Sequence, residues 1–142
     1  MKCSVFGALL FLFFALIFSV PMPQAQVRTR ASVPFDFSLA QKSMPAGVYE
    51  ISSMNEKVLA VRNLETREAR LLIESMHVEA SEAAGTPHAK LVFRKFGDQY
   101  FLAEIWDGQS AIGIAFPESK REQELKWAGD AQQPEVVVIA MT

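Results

Sequence analysis

His77 and His88 are the only imidazoles in the chain, and Glu79 and Glu82 lie between them. That grouping raises zinc or copper first. Metal centres gather three or four ligands whose orientation is fixed by further partners, and His77-x-Glu79 is a fragment of such a set. The expectation is a pair of loop-side histidines without metal. Nucleophilic chemistry fares no better. Gly108-Gln109-Ser110-Ala111-Ile112 is one glycine short of a nucleophile elbow, and it begins a strand from a hairpin turn where an elbow needs a strand-to-helix turn. With so few histidines and a lone cysteine, Cys3, nucleophile–base pairs are scarce. Glu104 and Asp107 could be paired for hydrolysis, yet one falls within a strand and the other in a turn, which gives no opposed geometry. Glycosylation and phosphate-loop spellings are absent. No enzyme, no metal and no cofactor is expected.

The elements that would position these side chains are mostly strands. Val33, Phe35, Phe37 and Leu39 alternate with polar residues, which predicts one strand with a buried face, and Pro34 places it at an edge or at its start. Met44-Pro45-Ala46-Gly47 spells a type I turn. Val48–Ser53 and Lys57–Asn63 read as strands joined around Asn55, and Ala69–Val78 as another. Ala80–Pro87 is the longest expected loop. Ala89–Phe96 and Gln99–Trp106 flank Gly97-Asp98, a hairpin signal, and Asp107-Gly108 is a second one before Gln109–Phe116. Ser119-Lys120-Arg121-Glu122 is a capping box opening a helix that Gly129 can close, and Glu122 and Lys126 stand at favourable spacing on it. Leu125 and Ala128 would lie against the small residues Ala111, Gly113 and Ala115. Val136–Ala140 is a continuous apolar run, expected to be a strand buried on both sides. The fold class expected is all-β, an antiparallel barrel or sandwich of about eight strands, with one short helix before the last.

Regular pairing across the meander would put Leu91, Phe93, Tyr100, Leu102 and Trp106 on one face, with Glu104 among them. The other face would carry Val92, Phe96, Phe101, Ala103 and Ile105. A carboxylate among apolar walls is costly unless it is solvated or paired. Glu104 with Leu91, Phe93, Tyr100, Leu102 and Trp106 is therefore the candidate ligand pocket or contact surface, and greasy walls with one polar anchor suit an apolar ligand.

Compartment is written at the front of the chain. Lys2 precedes an apolar run from Val5 to Val20, and Pro21–Gln26 follows with Ala25 as the last residue before cleavage. This is the layout of a secretory signal, expected to cover residues 1–25. The run is shorter than the roughly 20 apolar residues of a membrane span, and Arg28 and Arg30 would sit on the disfavoured side of one. Cys3 lies ahead of the run, so lipidation does not fit. Residues 26–142 form one domain's worth of chain without cysteine, dependent on its core alone. The net charge is −2 and no basic stripe appears, which argues against nucleic acid as partner. No stable membrane span is expected after cleavage. The exported product would be periplasmic or secreted.

Val33-Pro34-Phe35-Asp36-Phe37 and Met44-Pro45-Ala46-Gly47-Val48-Tyr49 resemble the opening of a group of short exported bacterial proteins of no assigned activity. Lys90-Leu91-Val92-Phe93, Gly97-Asp98-Gln99-Tyr100-Phe101-Leu102 and Ser119-Lys120-Arg121-Glu122 are similar to that group's hairpin and helix entry. The resemblance implies export and a single β-rich domain, and it brings no catalytic residue. The order of strands, helix and final strand is also similar to calycin barrels, although the early Gly-x-Trp of lipocalins is absent. The expected function is a non-catalytic module meeting a protein or envelope partner. The alternative is a carrier of a small apolar ligand, and a hydrolase or metal-dependent enzyme stands third.

Overall fold

Alternation of apolar and polar residues dictates the architecture, and the computed structural model describes it for residues 28–55, 58–73, 77–79, 88–108, 112–128 and 133–142. The segment 1–25 expected as a signal, the expected loop over 80–87, the 109–111 stretch with Ser110, and Gly129 lie outside the described residues. The strands are β1 (Arg28–Val33), β2 (Phe37–Leu39), β3 (Lys42–Met44), β4 (Gly47–Asn55), β5 (Val58–Asn63), β6 (Ala69–Ile73), β7 (His77–Glu79), β8 (Lys90–Phe96), β9 (Gln99–Trp106), β10 (Ile112–Ala115) and β11 (Glu135–Ala140). One helix, α1 (Lys120–Ala128), precedes β11.

Two sheets result. The first is antiparallel in the order β1-β4-β5-β6, and the second runs β11-β8-β9-β10-β7. The β2–β3 hairpin joins the second sheet through a short parallel pairing of Phe37 and Ser38 with Tyr100 and Phe101. One edge of β9 is thus shared, by β2 near its start and by β10 near its end. The sheets meet where Arg30 and Thr142 exchange backbone hydrogen bonds of 2.8 and 2.9 Å. On the opposite side they stay apart, so the arrangement is sandwich-like and no closed barrel forms.

The core fills the space between the sheets. Val33, Tyr49, Ile51, Leu59, Val61 and Leu72 face Phe37, Leu39, Met44, Leu91, Phe93, Leu102 and Ile105. Its centre is aromatic. Phe35 stacks on Tyr100 at 3.8 Å between centroids, and Phe37 sits edge-on to Tyr49 and Phe93 at 5.2 and 5.3 Å. Rings packed this way contribute beyond their buried area.

The expected strand across Val33–Leu39 is broken in two. Pro34 has no amide to donate, and the Asp36 carboxylate accepts the Ala46 N–H at 2.7 Å, so the chain steps from one sheet to the other between Val33 and Phe37. That step brings the first motif onto the second. Met44 pairs with Phe37, and the Tyr49 hydroxyl donates to the Pro45 carbonyl. The stretch Ala69–Val78 is divided too, since β6 belongs to the first sheet and β7 pairs with β10 in the second.

Candidate functional site

The face-sharing expected for the six candidate residues is corrected by a bulge. Leu91 pairs with Ile105 and Val92 with Glu104, but Phe93 pairs with Leu102, so Ala103 is an extra residue in β9. A bulge switches which face the following residues occupy. Leu91, Phe93 and Leu102 consequently belong to the closed core with Ile105, and Tyr100 packs at its border on Phe35. Glu104 and Trp106 turn to the outward face instead. There the Trp106 indole N–H donates to Glu104 Oε2 at 2.8 Å, and Lys90 Nζ lies 5.3 Å from the indole centroid. A hydrogen-bonded carboxylate at a partly wet face needs no ligand to stabilise it. The six residues therefore do not form one pocket.

The small-residue strip has a different cover from the expected one. A Cβ placed on Gly113 would come within 2.7 Å of two Trp106 ring carbons. The indole, rather than α1, lies on that glycine. Leu125 and Ala128 border a groove with Lys95–Gln99, at the tip of the β8–β9 hairpin.

The capping box forms as spelled. Ser119 Oγ accepts the Glu122 N–H at 3.2 Å, and Glu122 Oε2 accepts the Ser119 N–H at 2.6 Å. Glu122 does more than cap. It is the one buried residue of α1, and its other oxygen accepts from Arg94 Nε at 2.7 Å. Arg94 also donates to the Phe116 carbonyl. The helix is therefore clamped to the outward face of β8 by an ion pair, while the expected Glu122–Lys126 pair is replaced by Lys126 with Glu118. Trp127, on the far side of α1, is 89% exposed.

β11 likewise departs from expectation. It is the outermost strand of the second sheet, and its outward side chains Val136 and Val138 are 63% and 54% exposed. Only Val137 and Ile139 pack inward. The backbone follows the same parity. Met141 donates to Ala89, across the β8 edge, whereas Thr142 bonds Arg30 on the other edge. Successive residues of a strand direct their N–H and C=O groups to opposite edges. Val136, Val138 and Ala140 accordingly aim theirs away from β8, and among the described residues none of the three has a backbone partner there. Trp127, Gln133, Pro134 and Val136 line an open groove of about 840 Å³ beside this edge.

A second groove, about 440 Å³, lies where the sheets fail to meet. Leu71 and Leu72 of β6 form one wall, and Phe101, Leu102 and Phe116 the other, with Ser38, Gln41 and Ser119 among the polar lining. The turn of β2–β3 contributes Ala40 and Gln41, both at positive φ (47° and 69°). His88 is exposed, and among the described residues no three His, Cys, Asp or Glu side chains come together to hold a metal. Sequence reasoning missed the Arg94–Glu122 pair, whose one signal is a charged residue within the apolar alternation of β8. It also missed the bare edge of β11, for which a continuous apolar run carries no sign of exposure. No protein-family model, no curated protein and no solved structure matches the chain.

Proposed function

We propose that the protein is an exported, non-catalytic contact module that works at the cell envelope or outside the cell. One observation carries this reading: an aromatic core occupies the interior while β11 leaves both its outward valines and its edge backbone groups open beside Trp127. Exposed apolar surface joined to an unprotected strand edge is the signature of a protein–protein contact. The segment Lys2–Ala25 supports export, with the mature chain starting near Gln26. Intact-mass measurement on protein from the host's envelope and medium tests that step, and a membrane-bound product retaining Met1–Val20 would refute it.

The contact itself is tested with a photo-crosslinking residue at Val138 or Trp127 and, as control, at exposed Arg67 in the β5–β6 turn. Adducts in the native envelope or medium from the first two positions, and none from Arg67, are the expected result. Equal labelling from all three would refute a dedicated face. The second reading, a carrier of a small apolar molecule, is favoured by the groove between the sheet edges, whose volume is of ligand size. Native mass spectrometry separates the two. A retained apolar ligand lost on Leu72→Lys would favour the carrier.

A further inference from the structure

We infer that the bare edge of β11 pairs with β11 of a second copy of this chain, in an antiparallel register centred on Val137. The inference rests on the contact-module reading and names its partner.

The backbone inventory defines where a strand can add. Groups facing away from β8 are those of Val136, Val138, Ala140 and Thr142, and Thr142 is already bonded to Arg30. The β1 strand therefore closes the edge at its Thr142 end. Pro134, at the other end, has no N–H to donate. The open stretch is short and bounded on both sides.

A symmetric antiparallel pair that keeps both outward faces on one side must match residues of like parity. Centring on Val137 puts Val136 of each copy opposite Val138 of the other. Each of these two matches exchanges both N–H···O=C bonds, so every backbone group of Val136 and Val138 that faces the open edge is satisfied. The Val136 and Val138 side chains of both copies then merge into one apolar cluster, flanked by Trp127 from each side.

Charge agrees with a second copy as occupant, and area sets how strong that pairing can be. Edge strands that must stay apart carry Lys, Pro or a bulge along the edge. Here the edge-facing positions are Val136, Val138 and Ala140; the adjoining Glu135 is bonded to Lys95 of its own chain at 3.1 Å, and Glu118 and Lys126, which line the groove beside Val136, are paired with each other. A partner strand must be as free of charge and present small β-branched side chains at alternate positions, which β11 itself does. The exposed parts of Trp127, Val136 and Val138 amount to roughly 400 Å² per copy, about half the 800 Å² per partner of a standard interface. The pairing is therefore weak and forms at high local concentration.

Sedimentation velocity of the exported protein from about 1 µM to about 1 mM reads the equilibrium. The expected result is a shift from monomer to dimer across that range. Val138→Lys should hold the protein monomeric throughout, with unchanged far-ultraviolet circular dichroism, while Leu71→Lys on the edge of the first sheet should leave the shift intact. Val137→Cys should form an interchain disulfide on mild oxidation, because two residues at the axis of such a pair lie within disulfide reach. Should Val138→Lys fail to fold, that crosslink decides. A wild-type monomer at every concentration, or a dimer that survives Val138→Lys, overturns the inference. If the protein stays monomeric but Val138 crosslinks to a different protein, the partner is a foreign strand and the contact reading stands. If Val138 crosslinks to nothing, that reading falls as well.

Discussion

Gly113 is a position where a single methyl group should act on one identified partner, the Trp106 indole. A Cβ there would meet Trp106 Cδ2 and Cε2 at 2.7 Å and Cε3 at 3.0 Å. Carbon atoms settle at about 3.5–4.0 Å, so the indole must retreat by about 1 Å. It has little freedom to do so, being buried and bonded to Glu104. Weakening that hydrogen bond costs about 1 kcal/mol, and overpacking adds about 1–3 kcal/mol. Removing glycine's backbone freedom returns about 0.5–1 kcal/mol. Gly113→Ala should therefore destabilise by about 1–3 kcal/mol, and Gly113→Leu by at least as much. Urea unfolding followed by far-ultraviolet circular dichroism measures it. The mechanism is isolated by repeating the substitution in Trp106→Leu, where the obstacle is gone and Gly113→Ala should be neutral or mildly stabilising. A coupling of about 2 kcal/mol between the two sites is the expected outcome. If Gly113→Ala costs the same with and without the indole, the steric argument fails.

Arg94→Ala should cost about 3 kcal/mol, because it leaves the Glu122 carboxylate buried without its cation. Ser119→Ala should cost about 1 kcal/mol, and combining it with Glu122→Ala should cost less than the sum, since the two halves of the box act together. Denaturant unfolding of the three variants and the double tests both, and strict additivity would refute the box. Ala40→Asn with Gln41→Gly should stabilise by about 1 kcal/mol in a thermal melt, because the present turn holds two ordinary residues at positive φ; a lower melting temperature would show that these side chains contribute more than their strain. Burial raises the Tyr49 phenol above its ordinary 10.0, and the neighbouring Asn63 side chain offsets part of that rise. The neutral form is thus favoured by folding, and stability should hold below about pH 10 and fall as pH rises from there through the folded value. Tyr49→Phe should be about 1 kcal/mol weaker at neutral pH, through loss of the bond to Pro45, but should lack that alkaline decline.

Local signals were readable where local forces decide. Gly97-Asp98 closes the β8–β9 hairpin with Phe96 opposite Gln99, and Gly97 takes the positive φ (58°) that such a turn demands. Ser119 and Glu122 cap a helix because both partners lie within one turn. What escaped reading depends on distant neighbours. Ala103 has nothing in its own residue type to mark a bulge, yet that bulge sends Glu104 and Trp106 outward and leaves Leu102 in the core. Ala40-Gln41 turns without glycine or asparagine, so the β2–β3 hairpin carried no punctuation. The run Val136–Ala140 has the composition of a buried strand, and only its place at the end of the sheet order exposes half of it. The candidate site was therefore less legible than the fold, since it is made of an edge, and edges are a property of topology.

The bond between Arg30 and Thr142 has a consequence for time as well as for shape. Nearby, the Thr29 hydroxyl meets the Met141 sulfur across 112 positions of sequence. The β2 strand likewise waits for β9 before it has a place in the second sheet. A chain made from its N-terminal end must hold Phe35 and Phe37 without their eventual neighbours until β8 and β9 have arrived. The outer edge of β1 stays unpaired for longer still, until Thr142 follows. Such non-local pairing is slow, because loop closure is unfavourable before contacts reward it. The early strands are then a period of vulnerability rather than a nucleus, and a binding factor that shields them would matter most before β11 and Thr142 appear.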